Sequence, residues 1–535
     1  MSSSTSRIMT LGALCAAAKL DCPPGAENTV IRGVTADSRR VCPGYLFIAV
    51  SGMHRDARDF IPDAEKKGAA AAAAAWEDGG CPQSIQNTSL PLVRVKDARR
   101  ASAFLFDAWY DHPGDRLRLV GVTGTNGKTS TACMLTHILR ASGEPVGMIG
   151  TLGYRLPDGQ TEQPDDVIRP ADSRAAMTTP DPEELYAILD RMAGTGTADA
   201  RRRTVVMEVS SHALAQGKTA PLHFDVGIFT NLSPEHMDFH GTMDNYFEAK
   251  KQLFRQSDVG VTNGNDPHGA RLPAGIGGPH KWLICREAGS ARVTEPLPTG
   301  VPCERYAAEG IELDGADGVS YRLISPAARL RIRCPVPGAF TVINSLEAAA
   351  AALALGVPPL SVREALAAFP GVPGRMERLP LEADFSVFID YAHTPDALEK
   401  LLCAFHRIRG TGRPGRGRIV LVFGCGGDRD KDKRRIMART ASALADVIII
   451  TSDNSRSEDP DAIIGDILRG IDKESEYTVI PDRAEAIRWA LRSARPGDMI
   501  LLCGKGHETY EIDRTGRHPF DERDVVRAAM ESGAD

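Results

Sequence analysis

The chain is 535 residues long, which is enough for about three domains of ~150 residues each. Its net charge of −6 excludes a globally basic surface for nucleic acid, and its eleven cysteines include no C-x-x-C pair, which is typical of reduced thiols rather than of a disulfide framework or a zinc site. No apolar run reaches the ~20 residues that a membrane span needs and the first residues, MSSSTSR, lack the apolar core of a signal peptide, so we expect a soluble cytoplasmic protein.

The first 113 residues predict short strands near Val34, over residues 46–50 and over residues 92–95, followed by a helix over residues 98–109. Seven alanines at residues 69–75 fit a helix by propensity, but they also fit a short buried strand, and both alternatives stay open. The polar residues Asp-Ser-Arg at 37–39 are, from composition alone, as consistent with a simple turn as with a binding loop.

A glycine-rich turn, TGTNGKT at residues 123–129, follows a predicted buried strand and precedes an apolar helix. Backbone N–H groups at such a helix N-terminus cradle phosphate oxygens, Lys128 can reach the phosphates, and the Thr129 hydroxyl can hold Mg²⁺. The general phosphate-loop pattern asks for glycine where this chain has Val122, so the match is to the core of the pattern. The alternative is a chance GKT in an unrelated turn, which the flanking strand and helix disfavour. We therefore predict an ATP or GTP site.

Strands predicted over residues 146–150, 204–209 and 226–230 alternate with helices, which indicates a mainly parallel sheet. One of these helices covers residues 183–192, with Thr179 as its expected N-cap and Pro180 in its first turn. Residues 160–173 are polar and predict a loop.

Ligands of parallel sheets bind at the carboxyl ends of the strands, where Glu208 and His236 lie. A carboxylate beside a triphosphate is a natural Mg²⁺ ligand. By itself His236 is better interpreted as an ordinary loop histidine, and Lys250, on a predicted helix, as a surface lysine.

Downstream, residues 281–335 predict a small β region, residues 338–355 a long alanine-rich helix, and the FPGVPGR stretch at residues 369–375 a linker. A second doubly wound sheet is predicted from strands over residues 387–390, 419–423, 447–451, 477–480 and 499–503.

Acidic and guanidinium groups follow the strands of this last sheet: Arg429, Asp453, Arg456 and Glu508. Such a mixture suits a zwitterionic substrate such as an amino acid, because carboxylates pair with arginine and ammonium groups pair with carboxylates. A structural ion-pair network explains the same residues equally well.

Eight motifs in order along the chain resemble the Mur ligase family: TGTNGKT (123–129), MEVSSHAL (207–214), FTNLSPEHMDFHG (229–241), GAFTVINSLEAAAA (338–351), GVPGRMERL (371–379), DYAHTPDAL (390–398), GCGGDRDKDKR (424–434) and GKGHETY (504–510). The resemblance implies an α/β fold of three domains. These are a smaller N-terminal α/β domain that binds a uridine nucleotide (1–113), a central phosphate-loop domain with a parallel mononucleotide-binding sheet that binds ATP (114–371), and a Rossmann-like C-terminal domain that binds the amino acid (372–535).

The resemblance also assigns roles to residues. It implies that ATP is bound by Gly124, Thr125, Asn126, Gly127, Lys128, Thr129, Asn344, Arg375, Asp390, Tyr391 and His393. It implies Mg²⁺ ligation by Thr129, Glu208, His236 and Lys250, the last through a carbamate on its Nζ, and catalytic roles for Lys128, Lys250 and His236. This reverses the ordinary interpretations of His236 and Lys250.

The remaining assignments concern the other two substrates. The UDP-MurNAc-dipeptide is expected to contact Ser38, Thr178, Thr179, Ser210, Lys218 and carbamylated Lys250. The amino acid is expected to contact Arg429, Asp453, Asn454, Arg456, Gly504 and Glu508. The chain has lysine at 218 where family members often have arginine, which keeps the charge but loses the two-pronged guanidinium.

The implied reaction is ATP-dependent amide formation, in which meso-diaminopimelate is joined to the γ-carboxylate of the D-Glu residue of the dipeptide through an acyl phosphate, in peptidoglycan synthesis. Diaminopimelate-adding members have Asp-Asn-Pro-Arg where this chain has Ser455 between Asn454 and Arg456, but the arginine is retained. A ligase that adds lysine or another diamine is the alternative within the family, and a non-catalytic nucleotide switch or GTPase is the alternative outside it. We expect a monomer.

Overall fold

The computed structural model describes residues 7–52, 55–76, 85–157, 177–194, 202–288, 302–411 and 417–532. The backbone forms two compact units. The first comprises Met1–Cys285, Ser290–Arg305 and Ala350–Val357, and the second comprises Arg286–Gly289, Tyr306–Ala349 and Pro358–Asp535. Within the described ranges, no helix is long and apolar enough to cross a membrane.

The first unit begins with a small α/β region. Its elements are β1 (Met9–Thr10), α1 (Leu11–Ala17), β2 (Val30–Ile31), β3 (Gly33–Thr35), β4 (Tyr45–Ile48), α2 (Ile61–Lys66), β5 (Ala71–Ala75), β6 (Leu92–Val95) and α3 (Ala98–Trp109). Strands β3, β4, β5 and β6 form a parallel sheet in that order. The predicted strand at residues 92–95 and the predicted helix at residues 98–109 are confirmed.

The open question of the alanine run is answered by β5, a strand that pairs with β4 and β6. Ala71 and Ala73 contribute to one hydrophobic cluster, whereas Ala72 and Ala74 contribute to another, and all four side chains are fully buried. Tertiary packing overrides the helix propensity of alanine here, because both faces of the strand are covered and only small side chains fit between the two layers.

The larger part of the first unit is a parallel sheet with helices. Its elements are β7 (Leu117–Thr123), α4 (Lys128–Ala141), β8 (Val146–Gly150), β9 (Gly153–Arg155), α5 (Pro182–Ala193), β10 (Arg203–Glu208), α6 (Ser211–Ala215), β11 (Phe224–Phe229), α7 (Met237–His240), α8 (Met243–Arg255), β12 (Ser257–Asn263), α9 (Pro267–Gly275) and β13 (Lys281–Glu287). The strand order is β13-β12-β11-β7-β10-β8-β9, and all pairs are parallel except β8 with β9. The predicted parallel sheet is confirmed, and β7 lies between β10 and β11.

One local prediction in this region is wrong. The helix near residue 180 is α5, with Asp181 at its N-cap position and Pro182 at its start, so Thr179 is not the cap. The Thr179 hydroxyl instead donates to the main-chain oxygen of Glu208 at 2.9 Å, because it lies beside the end of β10. The loop predicted over residues 160–173 lies outside the described residues.

The second unit combines an antiparallel region with a second parallel sheet. Its elements are β14 (Cys303–Leu313), β15 (Val319–Ile324), β16 (Arg329–Cys334), α10 (Phe340–Ala354), α11 (Pro359–Ala367), β17 (Glu377–Arg378), β18 (Ser386–Asp390), α12 (Pro395–Thr411), β19 (Ile419–Phe423), α13 (Asp432–Leu444), β20 (Val447–Ile450), α14 (Pro460–Leu468), β21 (Tyr477–Val479), α15 (Arg483–Arg492), β22 (Met499–Cys503), β23 (Tyr510–Asp513), β24 (Gly516–Pro519) and α16 (Glu522–Ser532). Three elements are divided between the units: the first residues of β14 and the last residues of α10 are grouped with the first unit, and the last two residues of β13 with the second.

The parallel sheet of the second unit has the order β17-β18-β22-β19-β20-β21, and only β17 is antiparallel. All five predicted strands are present, within one residue of their expected bounds. Strand β22 lies between β18 and β19, so the loops that follow these three strands emerge at the same edge. The hairpin of β23 and β24 was not predicted.

The packing of β5 makes a testable prediction. Replacing Ala73 by leucine should lower the free energy of unfolding by about 1–3 kcal/mol, because extra methyl groups do not fit between two covered faces. Urea denaturation measures the change. Ala16→Leu, at an exposed position of α1, is the matched control and should leave stability nearly unchanged. Equal stability of the Ala73→Leu variant would contradict the two-sided packing.

Candidate active site

The predicted phosphate loop joins β7 to the N-terminus of α4. Gly127 occupies the N-cap position with φ of 86°, and no side chain caps the first turn, which leaves its N–H groups available to an anion. The loop therefore has the geometry that cradles phosphate oxygens.

The end of β11 holds this loop in place. The Thr125 N–H donates to the main-chain oxygen of Asn231 at 2.9 Å, and the Thr230 hydroxyl donates to the Asn126 main-chain oxygen at 2.6 Å. Gly124 has φ of 150°, and a Cβ at this position would lie 1.9 Å from Thr230 Oγ1. Only glycine fits so close to the neighbouring strand end.

Two lysines converge on the loop. Lys128 Nζ donates to the main-chain oxygens of Gly124 and Thr125 at 3.0 and 2.7 Å. Lys250, on α8, is fully buried, and its Nζ donates to the same Gly124 oxygen at 2.7 Å while lying 4.4 Å from the centre of the Tyr246 ring. Burial, reinforced by the charge of Lys128, lowers the pKa of Lys250 well below its ordinary value. The ordinary interpretation of Lys250 as a surface lysine is therefore wrong.

Glu208 ends β10 in full burial beside the loop. Its Oε2 accepts from the Thr129 hydroxyl at 2.9 Å, and its Oε1 accepts from the Thr151 N–H at 2.9 Å. A Cβ on Gly150 would lie 2.2 Å from Glu208 Oε1, so the glycine makes room for the carboxylate. The predicted pair of Thr129 and Glu208 is brought together.

Beyond Glu208, a cluster of polar residues lies next to the loop. The Thr151 and Thr178 hydroxyls are 3.2 Å apart, and the Ser210 N–H donates to Thr179 Oγ1 at 3.0 Å. Lys218 is buried, and its Nζ pairs with Asp181 Oδ1 at 2.7 Å. The four predicted dipeptide residues of this region are thus near neighbours: Thr178, Thr179, Ser210 and Lys218.

The turn that contains Ser38 contacts the first turn of α5, which begins just after Thr178 and Thr179. This turn follows β3, and the Ser38 main-chain oxygen accepts from Lys67 Nζ at 2.7 Å. The turn is tied to Glu183 in the first turn of α5, which accepts from the Ala36 N–H at 3.0 Å and pairs with Arg40 at 2.8 Å. The turn interpretation of residues 37–39 is correct, and it leaves a binding role open.

Three histidines cluster around Tyr246, the ring that Lys250 Nζ lies over. The rings of His212 and His236 meet edge to face with centroids 4.6 Å apart, and His240 Nε2 lies 3.0 Å from Ser211 Oγ. Burial lowers the pKa of His240 to about 4, so this ring is neutral near pH 7. The sequence motifs contained His212 and His240, but nothing in the residue pattern separated them from loop histidines.

A magnesium ion fits part of this site by its chemistry. The Thr129 hydroxyl and the Glu208 carboxylate are adjacent hard oxygen donors beside a phosphate-binding loop, which is the donor set that Mg²⁺ prefers. Among the described residues, there is no group of three or more His, Cys, Asp or Glu side chains that could hold a metal unaided. Phosphate oxygens of a bound nucleotide would supply further ligands beside Thr129 and Glu208, and ligation by His236 and Lys250 stays a prediction.

The second unit contains the other cluster of predicted residues. A cavity of about 310 Å³ is lined by Tyr391, His393, Thr394, Gly426, Arg429, Asp430, Lys433, Asp453, Asn454, Arg456, Gly504 and Glu508. All six residues predicted for the amino acid are on its wall. Thr394, Gly426, Asp430 and Lys433 were not among the predicted site residues, although all four belong to the quoted motifs DYAHTPDAL and GCGGDRDKDKR.

Buried charges organise this cavity. Lys505 is fully buried 4.0 Å from Asp453, and its Nζ donates to Asn454 Oδ1 at 3.2 Å. Burial would raise the pKa of Asp453, but the charges of Lys505 and Arg483 outweigh it and lower that pKa below its ordinary value. Burial raises the pKa of Glu508, which accepts from Asn454 Nδ2 at 2.8 Å. The wall thus presents carboxylates and guanidinium groups together.

The remaining predicted nucleotide residues also belong to the second unit. Asp390 ends β18 and accepts from the main-chain N–H groups of Met376 and Ala392 at 2.7 and 2.8 Å. The Arg375 guanidinium lies 4.9 Å from the centre of the Tyr391 ring, and the ring of His393 is 4.5 Å from that of Tyr391. Asn344 is buried on α10.

Three family models match the chain in order. They are the Mur ligase family, catalytic domain, at residues 30–110; the Mur ligase middle domain, at residues 122–352; and the Mur ligase, glutamate ligase domain, at residues 374–506.

Full-length relatives agree with these models. The UDP-N-acetylmuramoyl-L-alanyl-D-glutamate–2,6-diaminopimelate ligase of Alkaliphilus metalliredigens is 39% identical over 517 residues, 96% of each chain, and that of Gloeobacter violaceus is 39% identical over 505 residues, 94% of each chain. A solved structure of a ligase with this name has a TM-score of 0.65 at 28% identity and covers 98% of this chain and 100% of its own. A MurF ligase from Thermotoga maritima in complex with ADP shares the fold, with a TM-score of 0.54 at 16% identity over 93% of this chain and 97% of its own.

The contact of Gly124 with β11 yields a prediction. Gly124→Ala should weaken binding of an ATP analogue by roughly ten- to a hundredfold, because the added Cβ forces the loop away from Thr230. Calorimetric titration measures the affinity. Gly143→Ala is the matched control, since Gly143 also has positive φ (80°) but nothing lies within 4 Å of its Cβ direction. That variant should lose about 1–2 kcal/mol of stability and keep its affinity. Unchanged affinity in Gly124→Ala would contradict the binding role of the loop.

Proposed function

The chain belongs to the Mur ligase family, and we propose that it is an ATP-dependent ligase that joins meso-diaminopimelate to the D-Glu γ-carboxylate of UDP-MurNAc-L-Ala-D-Glu in peptidoglycan synthesis. The observation that carries the proposal is the 310 Å³ cavity, whose wall contains every residue expected to hold the amino acid. The names of relatives at 39% identity over nearly the whole chain support the same reaction.

We propose a division of labour among three domains: residues 1–113 for the uridine nucleotide, 114–371 for ATP and 372–535 for the amino acid. The limits of the three matched family models support these bounds. We further propose that the enzyme acts as a monomer in the cytoplasm, a location supported by its cysteine usage.

The first step is attack of the D-Glu carboxylate on the γ-phosphorus of ATP, which forms an acyl phosphate and releases ADP. The open N-terminus of α4 and Lys128 would bind the phosphates and offset the negative charge that develops. Thr129 and Glu208 would hold Mg²⁺, which neutralises phosphate charge when it is bound. No nucleophile of the protein is required, so most of the catalysis is positioning.

The buried amine of Lys250 is suited to carry a carbamate. Its lowered pKa favours the neutral form, which adds to CO₂ and releases a proton. The product would be a carboxylate beside the loop. The Tyr246 ring lies next to Lys250 Nζ and also contacts the His236 ring, so His236 is near this carboxylate. We propose that this carboxylate and His236 complete the metal and dipeptide site.

In the second step, the amine of diaminopimelate attacks the acyl carbon, and phosphate leaves. The amino acid carries two carboxylates and two amines, so it needs both cationic and anionic partners. Arg429 and Arg456 supply the former, and Asp453 and Glu508 supply the latter. We propose that Arg456 grips the distal carboxylate, which lysine lacks.

The decisive experiment measures phosphate release with ATP and the UDP-MurNAc-dipeptide in the presence of meso-diaminopimelate, L-lysine or neither. We expect release with diaminopimelate only. Arg456→Ala should lower kcat/KM for diaminopimelate by about a hundredfold, because a charge-assisted pair is lost. Lys400→Ala, whose ion pair with Asp396 on α12 lies off the cavity wall, is the control. Efficient use of lysine would identify a lysine-adding ligase, and hydrolysis without an amino acid would identify a nucleotide switch.

Lys250 is tested by its chemistry as well as by activity. Wild-type protein in ¹³C-bicarbonate should show a carbamate NMR signal that Lys250→Ala lacks, and the substitution should slow phosphate release by at least about a hundredfold. Lys251→Ala is the matched control, because Lys251 pairs with Glu248 instead and should keep both the signal and the rate. A signal that survives in Lys250→Ala would refute the modification.

A further inference from the structure

The hairpin of β23 and β24 (residues 510–519, hereafter the hairpin) has no part in the reaction described above. It lies against residues 452–458 (hereafter the amino-acid loop), which supply Asp453, Asn454 and Arg456 to the cavity. None of the described residues that line the cavity comes from the hairpin. Its contacts with the loop nevertheless determine how these cavity residues are held.

The main chain of Ile512 bonds two of the cavity residues. Its N–H donates to Asn454 Oδ1 at 2.9 Å, and its oxygen accepts from the Arg456 N–H at 3.0 Å. Arg456 has φ of 52°, a left-handed conformation that costs free energy in a non-glycine residue and persists only where surrounding contacts enforce it. The Ile512 oxygen is one such contact. Arg456 Nη1 supplies two more by donating to the Gly427 oxygen at 2.8 Å and to the Asn454 oxygen at 3.4 Å.

Side chains of the hairpin fasten the loop on both sides of this pair of bonds. Ser452 Oγ donates to Glu511 Oε1 at 3.2 Å, and Arg514 Nε donates to the Ser457 oxygen at 3.1 Å. The bonds therefore span the loop from its first residue to its sixth. Glu511 is half-buried and Arg514 is exposed, so both can be removed without opening the core.

The hairpin also orients a third cavity residue, Glu508, through Asn454. Asn454 Oδ1 accepts from both Ile512 and Lys505, whose Nζ in turn donates to the Tyr510 oxygen at 3.0 Å. Because its oxygen accepts from these two donors, the Asn454 amide is held in one orientation, in which Nδ2 donates to Glu508 Oε2 at 2.8 Å. The position of the Glu508 carboxylate thus depends on the hairpin through one amide.

We propose that the hairpin is a positioning element that sets the affinity and selectivity of the cavity for its amino acid without contacting that substrate. The inference rests on the proposed function, since it takes the amino acid as the ligand of the cavity. Ile512 acts directly on Asn454 and Arg456, the proposed substrate-binding residues. Glu511 and Arg514 act by holding Ser452 and Ser457 near the two ends of the same loop. When these bonds are lost, Arg456 and Glu508 are no longer held in the positions that match the second carboxylate and the second amine of diaminopimelate.

The test compares a control with two variants that remove bonds between the hairpin and the amino-acid loop, hereafter the latch variants. Glu511→Ala/Arg514→Ala removes the side-chain bonds, and Ile512→Pro removes the N–H that holds Asn454. Either should raise KM for diaminopimelate by about tenfold, as expected for one or two lost hydrogen bonds, with KM for ATP and for the dipeptide substrate within about twofold. Preference for diaminopimelate over L-lysine should fall as well. His518→Ala is the control, because among the described residues the His518 side chain bonds within the hairpin, to Thr515 and Asp513.

Amide hydrogen exchange over residues 452–458 gives a second readout that needs no substrate. We expect at least about tenfold faster exchange in the latch variants than in wild type or His518→Ala. If wild-type protein uses no amino acid at all, the proposed function fails, but the exchange experiment still decides the role of the hairpin. Unchanged exchange in the double variant, or an equal rise in KM for all three substrates with lower thermal stability, would overturn the inference.

Discussion

The register of three parallel strands is the constraint on which the first unit depends. Strand β7 pairs with β10 on one side and with β11 on the other, and Glu208 is level with Val122 at the end of the ladder. The phosphate loop, the Glu208 carboxylate and the anchoring residues after β11 therefore emerge at one edge. Shifting either neighbour by two residues would move Glu208 away from Thr129 or Thr230 away from the loop.

Close approach at this edge demands small residues as well as charged ones. Gly124 and Gly150 have no room for a Cβ, the first because of Thr230 and the second because of Glu208. A fully buried carboxylate is costly unless it is hydrogen-bonded, and the hydroxyls of Thr129 and Thr151 with the Thr151 N–H meet that need. The absence of a side chain at these two glycines therefore allows Thr230 and Glu208 to lie against the main chain.

The second unit differs from the first, because the wall of its cavity presents both signs of charge, as the proposed zwitterionic substrate requires. Lys505 and Arg483 are buried behind Asp453 and keep it ionised, while Asn454 connects Glu508 to the hairpin. The wall is thereby held by partners outside the cavity. In the proposed function, the wall residues would contact the substrate, and these partners outside the cavity would fix the positions of the wall residues.

The sequence by itself determined most of the element types and the motifs from which the candidate site residues were predicted, because strand-end loops carry their chemistry in short local motifs. Lys128, Thr129 and Glu208 were assigned from such motifs, and the six amino-acid residues were assigned with them. Tertiary structure alone decided what local pattern could not. Residues 71–75 became a strand because two layers cover them, Thr179 bonded to β10 instead of capping α5, and His212 and His240 joined the Lys250 region through ring contacts distant in sequence. The contact of the hairpin with the cavity residues also depends on tertiary structure, because Ile512 bonds Asn454 and Arg456 over 50 residues away in sequence. Hydrogen bonds between segments so far apart leave no local sequence pattern to detect.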